Sequence, residues 1–241
     1  RHPTVVSGLD ASLLCEYSAA AMKTPIHVQA PPSKSLSHRV LMAAALAGGV
    51  SHLHHILESD DTARTREILS GLGASFSRTG EGSFTVRGIA GAVSSRTMGQ
   101  EQPLSCFVGE SGTTCRLITA VLAAGQGSFH LHGAGRMHER PLRELAQALA
   151  QLGARFRFEG REGYPPFVLE ASGFTSAHLD QGMLDMGADE SSQYLSGLLL
   201  AAPLAQDGLT VRLAGKKAVS WPYIGLTLDT LECFGIRFVV E

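Results

Sequence analysis

The chain has 241 residues, 44% of them hydrophobic and 17% charged, with 20 Lys+Arg against 22 Asp+Glu and a net charge of −2. So large an apolar fraction can fill one big core or two small ones, which argues against intrinsic disorder. Without a basic surplus a generic nucleic-acid binder is excluded too, so any anion site must be small and local. Cys15, Cys106, Cys115 and Cys233 are far apart with no C-x-x-C pair, which predicts buried free thiols in a reducing compartment, neither a disulfide framework nor a zinc site. The greasiest stretch, 194–204, is too short for a membrane span and contains Ser196 and Gly197. No basic region precedes an apolar run at the N-terminus. A cytoplasmic chain without membrane contact is expected.

In chain order, residues 1–25 fit no pattern and are read as an N-terminal extension or a segment of another domain. From there one grammar repeats over about 26–90, 100–172 and 178–241. Each unit opens with small hydroxyl residues running into an Ala/Leu-rich helix: SLSHRVLMAAALAGG, SGTTCRLITAVLAAG and SSQYLSGLLLAAP. Arg39, Arg116 and Tyr194 lie 77 and 78 residues apart, and each helix meets its stop signal, Gly48, Gly125 or Pro203, nine residues later. Strands are predicted next at 51–57, 128–132 and 209–213. Second helices follow, opening at Ser59-Asp60-Asp61, Arg140-Pro141 and Trp221-Pro222 and ending at Gly73, Gly153 and Gly235.

Short strands are predicted after those glycines, at 74–76, 154–156 and 236–238, and closing strands at 83–87 and 166–170. The fold class is therefore α/β: three helix–strand–helix–strand–strand units. The first helices, apolar nearly all round, would pack together with pseudo-threefold symmetry. The third unit lacks its last strand, which predicts a longer parent protein.

The helix openings carry the chemistry. Lys34 and Arg39 stand at the start of the first helix, where the dipole is already positive, so cations there call for an anion. The second opening, Gly109-Glu110-Ser111-Gly112-Thr113-Thr114, lets a ligand approach the backbone closely. It is neither a Walker loop nor a nucleophile elbow. The third, Ser191-Ser192-Gln193-Tyr194, offers hydroxyls and an amide. Arg136, Arg140, Ser220 and Tyr223 recur at the second-helix entrances; surface ion pairs and simple capping are the plainer readings of these. Around a pseudo-threefold axis all three openings would form one polar site.

PPSKSLSHR, GESGTTCR, GRMHERPL, ESSQYLSGLLLAAP and SWPYIGLTL, in this order and spacing, resemble the 5-enolpyruvylshikimate-3-phosphate synthase family from about Ile26 to Glu241. The resemblance implies an enolpyruvyl transferase-like fold of two similar domains, of which this chain would be the N-terminal one. The implied activity is enolpyruvyl transfer from phosphoenolpyruvate to the 5-hydroxyl of shikimate 3-phosphate, in aromatic amino-acid biosynthesis, in a family that is the target of glyphosate. It implies Lys34 as catalytic and a contact to both substrates. Ser35, Arg39, Ser191, Ser192, Gln193, Ser220 and Tyr223 would join it on shikimate 3-phosphate, and Gly112, Arg136 and Gln193 on phosphoenolpyruvate. No cofactor or metal is implied. The second catalytic domain would be the partner, and the chain alone would turn nothing over. Glu110, Trp221 and Pro32 stand where the family usually has asparagine, lysine and glycine.

His52, His54, His55, His130 and His132 suggest metal ligands, but a solvent-facing strand side explains all five. The related transferase acting on UDP-N-acetylglucosamine shares the fold but needs a reactive cysteine loop, whereas Cys115 falls within a helix start. A non-catalytic anion-binding domain is the third possibility.

Overall fold

The computed structural model describes residues 4–5, 30–95, 102–176, 179–187, 191–214 and 220–240. The N-terminal extension lies outside them apart from Thr4 and Val5, as do Cys15 and residues 26–29. In order the elements are β1 (Thr4–Val5), α1 (Lys34–Leu46), β2 (Val50–Leu53), α2 (Asp60–Gly71), β3 (Ser75–Gly80), β4 (Ser83–Arg87), β5 (Leu104–Phe107), α3 (Gly112–Ala123) and β6 (Gln126–His132). A 3-10 turn, Gly135–Glu139, follows, then α4 (Arg143–Gln151), β7 (Arg155–Phe158), β8 (Phe167–Ser172), β9 (Met183–Gly187), α5 (Ser192–Ala201), β10 (Thr210–Ala214) and α6 (Trp221–Cys233).

Hydroxyl side chains start the helices as the sequence anticipates. Ser33 caps α1 by accepting from Leu36 N, Ser111 caps α3 through Thr114 N, and Ser59 forms a capping box with Thr62 at the start of α2. α4 departs from expectation: it begins at Arg143, after Pro141, and Leu142 at its cap donates its N–H to Gly163 O.

Two four-stranded sheets share one strand order, β1-β2-β4-β3 and β5-β6-β8-β7, and β9 and β10 form a third sheet of two. In each sheet the strand before the first helix pairs parallel with the strand after it: β1 with β2, β5 with β6, β9 with β10. The sequence reading missed these leading strands, although Leu184 and Met186 alternate buried with exposed Asp185. The strand expected at 236–238 does not form. β3 and β7 are strands because β4 and β8 pair with them; residues 236–240 have no such partner among the described residues and stay irregular.

α1, α3 and α5 touch one another, and nearly every side of α3 is buried, from Cys115 and Leu117 through Ala123. A second, smaller core of Leu41, Ala44, Leu53, Ile56, Phe84 and Val86 lies between α1 and the first sheet. Cys106 and Cys115 are buried free thiols, but Cys233 is exposed, against expectation, because it ends α6 on the open side. Among the described residues no helix is long and apolar enough to cross a membrane, and no group of three His, Cys, Asp or Glu is arranged for a metal.

Candidate active site

Hydrogen bonds from the first two turns of α1, α2, α3, α5 and α6 form a closed circuit. Lys34 of α1 donates to Asp61 of α2 at 2.7 Å. Thr114 of α3 donates to the Asp61 carbonyl at 3.1 Å, and Thr113 accepts from Gln193 Nε2 of α5 at 3.1 Å. Ser196 of α5 accepts from Thr227 of α6 at 3.0 Å. Arg39 Nε then returns the circuit to α1 by donating to Thr227 Oγ1 at 2.7 Å. Even α4 is tied in, since Arg116 and the Tyr194 hydroxyl both donate to the carbonyl of Pro141 just ahead of it. The openings of α1, α2, α3 and α5, the segment leading into α4 and the second turn of α6 are therefore held together by hydrogen bonds, and the helix dipoles at those openings favour negative charge.

Lys34, at the mouth, is half exposed. The anion its position calls for is supplied from inside, by Asp61. Burial alone would raise the Asp61 carboxyl, but the ammonium of Lys34 and the hydroxyl of Ser111 outweigh it and hold the group below the usual carboxylate range. Beneath them runs a buried chain of hydroxyls: Ser111 to Thr114 at 2.8 Å, Thr114 to Thr65 at 3.0 Å, and Thr65 to His38 Nδ1 at 2.9 Å.

Arg39 is 1% exposed. Besides Thr227 it donates to Ser35 O at 2.8 Å, Ser196 Oγ at 2.8 Å and Tyr223 O at 3.1 Å. A guanidinium has five N–H groups, so one remains for anything else. Burial lowers its pKa to about 10, which still leaves it charged at neutral pH.

Gly112 opens α3 with no room above it: a Cβ would sit 2.7 Å from Arg140 Nη1. Arg116 bridges from there to Gln193 Oε1 at 2.9 Å and lies over the Tyr194 ring. Lys34, Gly112 and Gln193 are thus linked in one cluster, with Ser35 and Ser191 next to them in the same first turns. Ser192 is buried in α5. Ser220 and Tyr223 are exposed at the start of α6, beside the Arg39 contact, and Ser220 adopts the left-handed conformation (φ 58°) that a serine rarely takes.

Arg136 stands apart. Its guanidinium is exposed and 3.7 Å from Glu139, while its N–H is held at 3.3 Å by Glu110, whose carboxylate fastens the 3-10 turn to the loop before α3. Glu110 is engaged in local structure in place of asparagine, and Trp221 is an exposed ring at the α6 opening.

Sequence reading missed Asp61 as more than a helix opener and used Arg116 only for register. An Asp-Asp pair in a first turn reads as dipole complementation, and nothing in sequence spacing says that Lys34 lies beside it.

The histidines have protein partners: His52 bonds Thr85, His130 pairs with Glu159 at 3.2 Å, and His132 bonds Ser105. His54 and His55 lie beyond the end of β2, which stops at Leu53.

The family model described as EPSP synthase (3-phosphoshikimate 1-carboxyvinyltransferase) matches residues 23–240. Among curated relatives, the 3-phosphoshikimate 1-carboxyvinyltransferase of Marinomonas sp. (strain MWYL1) is 40% identical over 211 residues, 87% of this chain and 47% of that protein. That of Neisseria gonorrhoeae (strain NCCP11945) is 37% identical over 223 residues, 92% of this chain and 49% of its own. A solved EPSP synthase from Acinetobacter baumannii superposes with a TM-score of 0.70 at 25% identity, covering 89% of this chain and 44% of that one. The chain spans about half the length of the curated relatives it matches.

Proposed function

The chain belongs to the EPSP synthase family, and from that premise we propose that it forms one wall of an enolpyruvyl transferase site, taking shikimate 3-phosphate and phosphoenolpyruvate. In the reaction the substrate 5-hydroxyl gives up its proton and adds to the central carbon of phosphoenolpyruvate while the C=C π electrons take a proton at the methylene carbon, giving a tetrahedral intermediate. Loss of phosphate and of a methyl proton then yields the enolpyruvyl ether. The observation that carries this reading is the linking of the α1, α3 and α5 openings, Lys34 to α3 through Asp61 and Gln193 to α3 through Thr113, with Gly112 at the start of α3 between them.

Both substrates are multiply charged, so free N–H groups and a lysine suit them. Lys34 neutralises charge on both substrates as it builds on phosphate and carboxylate oxygens. Ser35, Ser191, Ser192, Gln193, Ser220 and Tyr223 hold shikimate 3-phosphate, with Arg39 reaching it through its one remaining N–H. Gly112, Gln193 and Arg136 hold phosphoenolpyruvate, which requires Arg136 to leave Glu139. The three-unit, pseudo-threefold reading of the fold belongs with this proposal, as do a cytoplasmic location and a second domain that supplies the facing wall and the proton-handling groups.

Transfer to UDP-N-acetylglucosamine is the rival. It is disfavoured by Cys115, which is wholly buried with its thiol pushed up to about 12 by burial and so cannot serve as a reactive thiolate. Isothermal titration separates the readings. Shikimate 3-phosphate is expected to bind the wild-type chain and to bind more weakly after Lys34→Met, with no heat from UDP-N-acetylglucosamine. Binding of the nucleotide sugar alone, or of neither, overturns the proposal.

A further inference from the structure

Lys34 is the residue on which the proposed site turns, yet a half-exposed lysine on a four-carbon stem has about 2 kcal/mol of rotamer entropy to lose before it can serve as a fixed charge. Something must hold it. Among the described residues one group lies at bonding distance, the Asp61 carboxylate at 2.7 Å, and that group is itself fixed from several directions. The Ser111 hydroxyl, which caps α3, favours its charged form. Its carbonyl accepts from Thr114 at 3.1 Å and from Thr65 at 3.3 Å. Thr65 is in turn anchored on buried His38, and the whole residue sits in the first turn of α2, where a negative charge is favoured. Asp61 is thus bound to α3 through Thr114 while it presents a carboxylate to α1.

We infer that Asp61 is the positioning residue for Lys34: it fixes the ammonium at the meeting point of the helix openings before any ligand arrives. The inference rests on the function proposed for Lys34 only for its consequence, not for its geometry. A pre-placed ammonium binds an anion without the ordering loss a free lysine would incur. Removing Asp61 therefore weakens anion binding even though it takes away a negative charge. A purely electrostatic view predicts the opposite sign.

The test has two arms. The chain has four lysines, Lys23, Lys34, Lys216 and Lys217, so labelling at Cε and Nζ gives a simple spectrum, with Lys34→Met identifying the signal wanted. In the ligand-free wild-type chain the Lys34 ammonium is expected to be ordered on the nanosecond timescale. It should become as mobile as a free lysine side chain in Asp61→Ala and in Asp61→Asn, and loosen partway in Thr114→Val, which removes one strut without touching Lys34. Two aspartate variants keep the question open should one of them fold poorly.

In the second arm, phosphoenolpyruvate binding by isothermal titration is expected to weaken about tenfold in Asp61→Ala, equivalent to about 1.4 kcal/mol. The Lys34→Met/Asp61→Ala double variant should be no weaker than Lys34→Met alone. Unchanged Lys34 order in the aspartate variants, or tighter binding in Asp61→Ala, overturns the inference. A wild-type chain that binds no phosphoenolpyruvate counts against the proposed function, and the relaxation arm then decides on Asp61 by itself.

Discussion

His38 is wholly buried beneath the helix openings, with Nδ1 on Thr65 and Nε2 lacking a hydrogen-bond partner among the described residues. A proton is better placed on Nδ1 as donor, because an orphaned N–H costs more than an orphaned acceptor nitrogen. Burial lowers its pKa from 6.5 to about 4; Asp61 opposes that, and Lys34 and Arg39 add to it. The unfolded chain therefore binds a proton between pH 6.5 and about 4 that the folded chain refuses. The contribution of neutral His38 is complete above pH 6.5 and is lost as pH falls toward 4, at about 3 kcal/mol over the window. His38→Asn, which keeps a partner for Thr65 but cannot titrate, is expected to flatten this part of the stability profile. Urea midpoints at pH 7 and pH 4.5 check it: equal acid losses in the two proteins would show that His38 is not the group responsible.

Arg39 shows what residue type and spacing leave out. From the sequence it is a cation at a positive helix end, legible as a charge that needs an anion. In the fold it answers to four neutral oxygens on α1, α5 and α6, because residues more than 150 positions away in sequence arrive beside it. Lys34 differs in that its counterion, Asp61, is near in sequence, yet the pairing depends on how α1 and α2 pack. Residue identity was readable, and three-dimensional partnership was not.

At the scale of elements, the repeat was legible wherever its signal was local: hydroxyl caps, Ala/Leu runs and glycine stops mark real helix boundaries to within a few residues. Strands were legible in proportion to their neighbours. β4 alternates clearly and β8 opens on the apolar run Phe167-Val168-Leu169; β5 is only four residues long, and its reason for being a strand is the parallel partner β6. The expectation at 236–238 failed for the converse reason, since a strand-like sequence without a partner has nowhere to put its backbone groups.

One junction carries much of the first unit. After β4 the chain crosses the end of α1, where Ile89, Ala90 and Gly91 donate to the carbonyls of Ala45, Ala47 and Leu46 and so satisfy the helix terminus. Gly88 makes this approach possible, because a Cβ there would fall on the carbonyl oxygens of Ala47 and Ala44. Gly88→Ala is accordingly expected to destabilise the chain by about 3 kcal/mol through backbone displacement. Gly225→Ala, a helical site with no described residue within 4 Å of the added carbon, should stabilise by a few tenths to about 1 kcal/mol. Equilibrium urea unfolding of the pair decides the matter, and equal midpoints would mean that the 88–91 segment can move off the helix end freely.

For the whole molecule the governing fact is openness. The side chains of Lys34 and Arg136 are 50% and 83% exposed, and Tyr223 is 44% exposed, so the gathered helix ends face solvent. Charges in water are worth only a fraction of what they are worth in an enclosed site, and a tetrahedral intermediate in contact with bulk water is not protected from side reactions. The chain is about half the length of its curated relatives, and on the function proposed here the facing wall comes from the other half. The 241-residue chain is therefore expected to bind shikimate 3-phosphate yet release no phosphate above the enzyme-free rate when phosphoenolpyruvate is added. Joining it to the remaining half of the Marinomonas relative should restore release, and Lys34→Met in that fusion should abolish it. A continuous phosphate-release assay on the three proteins tests this in one experiment. Release by the unfused chain would mean that the helix ends described here suffice for catalysis without enclosure. An inactive fusion that still binds both substrates would mean that these ends hold the ligands in a geometry the reaction cannot use.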